Sequence, residues 1–200
     1  MEQRLVLLVI FLMYILSVPA PCAGKLRHTI IGGQEAEPHS RPYMAYLQIG
    51  GFACGGSLID PRWVLSAAHC HGETTTVILG AHDISEPESS QQILGVESYH
   101  VHPEYNPELT NNDIMLLKLL SPAEINRYVQ AVELPASNTD LPKDIPCSVA
   151  GWGLIDKIHA TDKLFETNVT IVSRRLCHRY YHDLTDGMIC AGSNEKNHRL

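Results

Sequence analysis

The sequence predicts an all-β protein built as two antiparallel barrels in series, the second shorter than the first. Three observations predict it. Short apolar runs recur along the chain and end in Gly, Pro, Asn or Asp, which breaks helices and makes turns. Several of those runs are rich in β-branched or aromatic residues. A proline-rich bridge around Pro135, Pro142 and Pro146 divides the body into halves, each too small for an α/β unit and suited to one antiparallel barrel.

The strand-like runs are Tyr43–Ile49, Gly56–Ile59, Trp63–Ala67, Thr76–Gly80, Gln91–Val101, Ile114–Leu119, Ser148–Gly151 and Asn168–Val172. Turn formers separate them, among them Gly50-Gly51, Asp60-Pro61 and Pro103. Ser173 followed by Arg174 to Tyr181 predicts one short capped helix. With 200 residues, of which 44% are hydrophobic and 18% charged, the chain can bury a sizeable core and has the composition of a folded domain.

Residues 1–23 differ in kind. Arg4 precedes the uncharged run Leu5 to Leu16, and Pro19, Ala20 and Ala23 follow, the pattern of a secretory signal peptide. The run is shorter than the ~20 apolar residues that span a bilayer, so no membrane anchor is expected. Secretion sets an oxidising context for the cysteines. Of six, Cys22 lies in or beside the signal, which leaves Cys54, Cys70, Cys147, Cys177 and Cys190 in the body. An odd number implies a free thiol, an intermolecular bridge or a missing partner.

Setting aside Arg4, Lys25, Arg27 and Glu2, the 15 basic and 22 acidic residues become 12 and 21, a net charge of about −9 from Ile30 onward. There is no basic run. Nucleic acid, heparin-like polymers and acidic membranes are therefore poor candidates as partners, since each requires a positive stripe.

Two residues carry the chemistry. His69 closes Leu65-Ser66-Ala67-Ala68-His69-Cys70 at the end of an apolar strand, among small residues and beside a cysteine. Asp113 opens the apolar run Ile114-Met115-Leu116-Leu117. A carboxylate there can accept the proton of one histidine nitrogen, fixing the tautomer and stabilising the imidazolium formed when a serine gives up its proton. Singly, each residue also has a plain structural explanation, as a surface histidine and as a cap. His100 with His102, and His178 with His182, have spacings that metal ligands use, but nothing of zinc-site pattern surrounds them, so no metal is expected. Asn168-Val169-Thr170 fits the N-glycosylation acceptor pattern.

Ile30-Ile31-Gly32-Gly33 with Pro38-His39-Ser40-Arg41-Pro42-Tyr43-Met44-Ala45 resembles the mature start of granzymes and mast-cell chymases, of the chymotrypsin-like serine protease family. Cys54-Gly55-Gly56-Ser57-Leu58-Ile59, the segment Trp63 to Cys70, and Gly80-Ala81-His82-Asp83-Ile84 continue the resemblance. Asn112 to Leu119, Val149-Ala150-Gly151-Trp152-Gly153 and Met188-Ile189-Cys190-Ala191-Gly192 complete it, in order from Ile30 to about Ser193. The resemblance implies two six-stranded barrels of the trypsin-like fold, the second incomplete. It makes His69 the general base and later general acid, and Asp113 its orienting carboxylate. It implies bridges Cys54–Cys70 and Cys177–Cys190, and Ile30 as the amino terminus freed by activation. Residues 1–23 are then signal, 24–29 propeptide and 30–200 the protease domain, secreted to the extracellular space or a secretory granule as a zymogen. Protein or peptide substrates and protease inhibitors are the implied partners, with no cofactor.

The departures from the family pattern carry equal weight. The family's nucleophile lies in a Gly-Asp-Ser-Gly-Gly-Pro segment, and nothing from Ser193 to Leu200 resembles it. The oxyanion-hole donors, the aspartate that receives the Ile30 ammonium and the floor of the specificity pocket are absent with it. Cys147 is left unpaired by the same loss. The expectation is a C-terminally truncated protease, inactive as it stands, because Ser193 and Ser173 sit in no glycine-rich turn that could present a hydroxyl beside amide donors. Thr29, before Ile30, argues against trypsin-like activation at that bond, and Gly24 to Thr29 is longer than the family's usual dipeptide. The rival reading is a non-catalytic binding protein or decoy on a protease fold.

Overall fold

A computed structural model describes residues 32–136, 141–155 and 159–192. Its strands are β1 (Gln34–Glu35), β2 (Met44–Ile49), β3 (Phe52–Asp60), β4 (Trp63–Ser66), β5 (Thr75–Leu79), β6 (Gln92–Val101), β7 (Met115–Leu119), β8 (Pro146–Leu154), β9 (Ala160–Ile171) and β10 (Ala191–Gly192). A 3-10 turn covers Ala68–Cys70, and one short helix, α1, covers Arg174–Cys177.

The first half is a closed six-stranded barrel in the order β2-β3-β4-β7-β6-β5, completed by pairing of β5 back onto β2. Period-two alternation explains its core. Thr75, Val77 and Leu79 of β5 face inward, as do Met115, Leu117 and Leu119 of β7. Leu47, Leu58, Val64 and Val129 join them, each fully buried. Each such side chain contributes roughly 1.5–3 kcal/mol through removal from water. Gly80 ends β5 with φ +72°, and a Cβ there would run into the Ser90 carbonyl, so only glycine makes this exit.

Among the described residues the second half is an open four-stranded sheet. β8 pairs with one edge of β9, while β1 and β10 pair with the other. Ala36, Met44, Ala81, Trp152 and Leu164 form a second core cluster where this sheet meets the barrel. His82 ties the two: its carbonyl accepts the Trp152 indole N–H at 3.0 Å and the Leu164 amide at 2.9 Å.

The helix is shorter than the sequence predicts. Ser173 caps it, its hydroxyl accepting the Leu176 amide at 3.4 Å, but regular helix stops at Cys177. Arg179 and Tyr180 then donate to carbonyls three residues back, a turn tighter than an α-helix. Pro146, read from the sequence as part of the bridge, is the first residue of β8, a position a strand tolerates. No helix among the described residues is long and apolar enough to cross a membrane.

Candidate active site

Pairing of β4 with β7 builds the site. Ser66, the last residue of β4, lies opposite Met115, the first of β7, so the chain leaving β4 and the chain entering β7 emerge at the same rim of the barrel. Beyond Ser66 the small residues Ala67 and Ala68 allow the tight 3-10 turn. Ala68 and Cys70 are buried in it, and His69 between them points outward. Cys70 is bonded to Cys54 of β3, and the Ser66 hydroxyl donates to the Gly55 carbonyl at 2.8 Å, so the turn is anchored to the barrel wall on two sides.

Asp113 grips this turn. Its Oδ1 accepts the His69 backbone N–H at 2.8 Å, and its Oδ2 lies 2.6 Å from His69 Nδ1. An ionised carboxylate only accepts, so Nδ1 carries the proton and Nε2 is the basic nitrogen of the neutral ring. The two side chains retain 33% and 20% of their exposure, sheltered and still reachable by a substrate. Tyr105 stands close by. Burial pushes its phenol above the ordinary tyrosine range, and the negative charge of Asp113 adds to the shift. The arrangement can move a proton: a base whose tautomer is set, backed by a fixed negative charge.

Cys177 is bonded to Cys190, tying α1 to the start of β10, and Cys147 on β8 carries a free thiol. Asn168 is exposed on β9. Ser173 is the helix cap described above. Ile30 and Ser193 lie outside the described residues. Of the histidines with metal-like spacing, His100 pairs through Nε2 with the Ser98 hydroxyl at 3.0 Å, and His102 Nδ1 accepts the Glu104 amide at 3.2 Å. His178 and His182 are exposed. Cys54, His69 and Cys70 bring their ligand atoms within 4.8 Å of one another, but the disulfide uses both sulfurs.

One buried group was not singled out by sequence reasoning. His82 is only 6% exposed, and its Nε2 lies 3.0 Å from Glu35 Oε1, which also receives Lys163 Nζ at 3.1 Å. The His82 hydrogen bond, then that from Lys163, holds the Glu35 carboxyl below its ordinary range. Its partners come from distant strands, so local spacing held no signal.

A trypsin family model matches residues 30–199. The chain belongs to the trypsin family. This trypsin-family chain is 46% identical to granzyme-like protein 1 of Rattus norvegicus over 171 residues, covering 82% of this chain and 69% of the relative. It is 43% identical to mast cell protease 3 of Ovis aries over 196 residues, covering 94% and 76%. With human granzyme B it shares 42% identity over 201 residues, covering 96% and 78%. A solved structure of GrC superposes with a TM-score of 0.77 at 41% identity, over 82% of this chain and 76% of that one. Membership places the chain in a family of proteases, enzymes whose substrates are proteins, and makes its second sheet a partial version of the second trypsin-like barrel.

Proposed function

We propose that this chain is a granzyme/chymase-type serine endopeptidase, secreted as a zymogen, and that its 200 residues are inactive without a serine-bearing segment. The double grip of Asp113 on His69 carries this reading. His69 Nε2 takes the proton of an attacking serine hydroxyl, and Asp113 stabilises the resulting imidazolium. The serine oxygen bonds to the scissile carbonyl carbon, His69 returns the proton to the leaving amine, and an acyl-enzyme forms. Water then hydrolyses it, with His69 again as base. Residues 1–23 serve as signal and 24–29 as propeptide. Ile30 becomes the new amino terminus, and the exposed Asn168 takes an N-linked glycan. The product resides outside the cell or in a secretory granule.

The rival reading is a non-catalytic binding protein or decoy on the protease fold. The intact histidine–aspartate pair favours the enzyme, since a decoy has no use for a fixed tautomer. Fluorophosphonate labelling of the purified 200-residue chain tests the inactivity. No serine should be modified. A labelled serine whose mutation abolishes the signal overturns it.

A further inference from the structure

Asp113 does not stand alone on the barrel rim; the loop before it is held by the second half of the molecule. Asn106 and Asn111 exchange backbone hydrogen bonds at 3.0 and 3.2 Å, closing a loop that bulges from the barrel. Its exit is conformationally unusual. Thr110 has φ +51° and Asn112 φ +56°, a left-handed conformation that asparagine tolerates better than most residues and threonine poorly. The Asn111 side chain pins that exit, because its Oδ1 accepts the backbone N–H of Asn112 at 3.0 Å. The same oxygen accepts a hydrogen bond from the hydroxyl of Thr185 at 3.3 Å.

Thr185 belongs to the other half and is itself held firmly. Its carbonyl accepts Arg174 Nη1 at 2.6 Å and the Met188 amide at 3.1 Å, while Arg174 Nη2 reaches the Asp186 carbonyl at 3.1 Å. Arg174 opens α1, which the Cys177–Cys190 bridge ties to the start of β10. A braced turn in the second half therefore holds the side chain that pins the backbone of Asn112, the residue immediately before Asp113.

We infer that Thr185 is a positioning residue for the His69–Asp113 pair: by holding Asn111 it sets the left-handed turn that aims the Asp113 carboxylate. The inference rests on the proposed role of that pair. Its physical basis is leverage. A 2.6 Å bond is lost by a carboxylate displacement of about 1 Å, so a small rotation at the left-handed Asn112, whose side chain also donates to the Glu104 carbonyl at 3.0 Å, is enough to break it. A bond that merely stapled the halves would leave the histidine unaffected when removed.

The test reads the His69 Nδ1 proton directly by NMR and needs no catalytic turnover. In the wild-type 200-residue chain this proton should resonate at low field and exchange slowly with water. Thr185→Val keeps the side-chain shape and removes the hydroxyl. It should move the resonance upfield and speed exchange on the order of fivefold, the factor carried by one ordinary hydrogen bond. Thr185→Ser, which restores the hydroxyl, should return both to wild-type values. An unchanged His69 proton in Thr185→Val overturns the positioning role. If that substitution disturbs the β7 amides, Thr185→Ala must shift the His69 proton with those amides in place, and failure to do so overturns the inference equally. Absence of the low-field proton from the wild-type chain instead defeats the active-site reading, and this inference with it.

Discussion

Asp113 holds His69 at two points, the ring through Oδ2 and the backbone through Oδ1, so ring orientation and turn position are set by one carboxylate. An asparagine at this position can keep the backbone bond through its carbonyl oxygen, but its NH2 group then faces Nδ1 and imposes the opposite tautomer. In a serine-bearing form of the chain, Asp113→Asn should lower kcat by about 10⁴-fold with little change in KM. Steady-state kinetics on a peptide substrate check this, and a loss confined to KM would mean that Asp113 acts in binding.

The Cys54–Cys70 bridge, with a sequence separation of 16, closes the loop that carries His69. In the chain-entropy account a loop of this size is worth about 3 kcal/mol. Replacing both cysteines by alanine should lower the unfolding free energy by about that amount in urea. A loss well under 1 kcal/mol would show that the barrel pairing alone holds the turn.

Glu35 sits between His82 and Lys163 and is held below its ordinary carboxyl value of 4.5 in the folded state, chiefly by the His82 hydrogen bond. The folded chain thus binds this proton less readily than the unfolded chain. Its contribution is present above the ordinary value and is lost as pH falls through the depressed one. Glu35→Gln should flatten the acid limb of the stability–pH profile, with Asp83 and Glu88 on the neighbouring loop left unchanged. Parallel profiles for the two proteins would show that the contact contributes nothing to folding.

The halves are unequally protected. The first barrel is closed, while among the described residues β8 pairs along one edge only, with Val149 47% exposed on it and Ile189 65% exposed before β10. Open edges and uncovered apolar groups favour local opening and association. Limited proteolysis should cut preferentially after about Pro135 and spare the segment from Met44 to Leu134. Uniform resistance, with a monomeric profile on gel filtration, would contradict the difference.

The strands that the sequence showed are those whose own residues alternate or branch, such as Met44–Ile49, Thr75–Leu79 and Met115–Leu119. The start of β3 was hidden because Ala53, Cys54 and Gly55 carry no apolar alternation; pairing with β2 makes them a strand. The first two-thirds of β9, including Thr161, Asp162 and Lys163, were hidden likewise, their extended form coming from β8, from β1 at Phe165 and Glu166, and from the loop at Asp83, which bridges Lys163. His69 and Asp113 stood out as residue types in context. Their ring contact was expected from the family resemblance, whereas the second bond, from the His69 backbone N–H to Asp113 Oδ1, was not, since it depends on the register that sets Ser66 opposite Met115. The pairing of His82 with Glu35 and that of Thr185 with Asn111 join segments far apart in the chain, so only the folded molecule brings them together.

The central claim is that His69 and Asp113 form a working base awaiting a serine. Its most direct measurement is fluorophosphonate labelling of this chain extended by the C-terminal portion of human granzyme B that follows the matched region. The grafted serine should be labelled, and labelling should fall by several orders of magnitude in the same protein carrying His69→Ala. Labelling that persists without His69, or a folded graft that takes no label, would contradict the account.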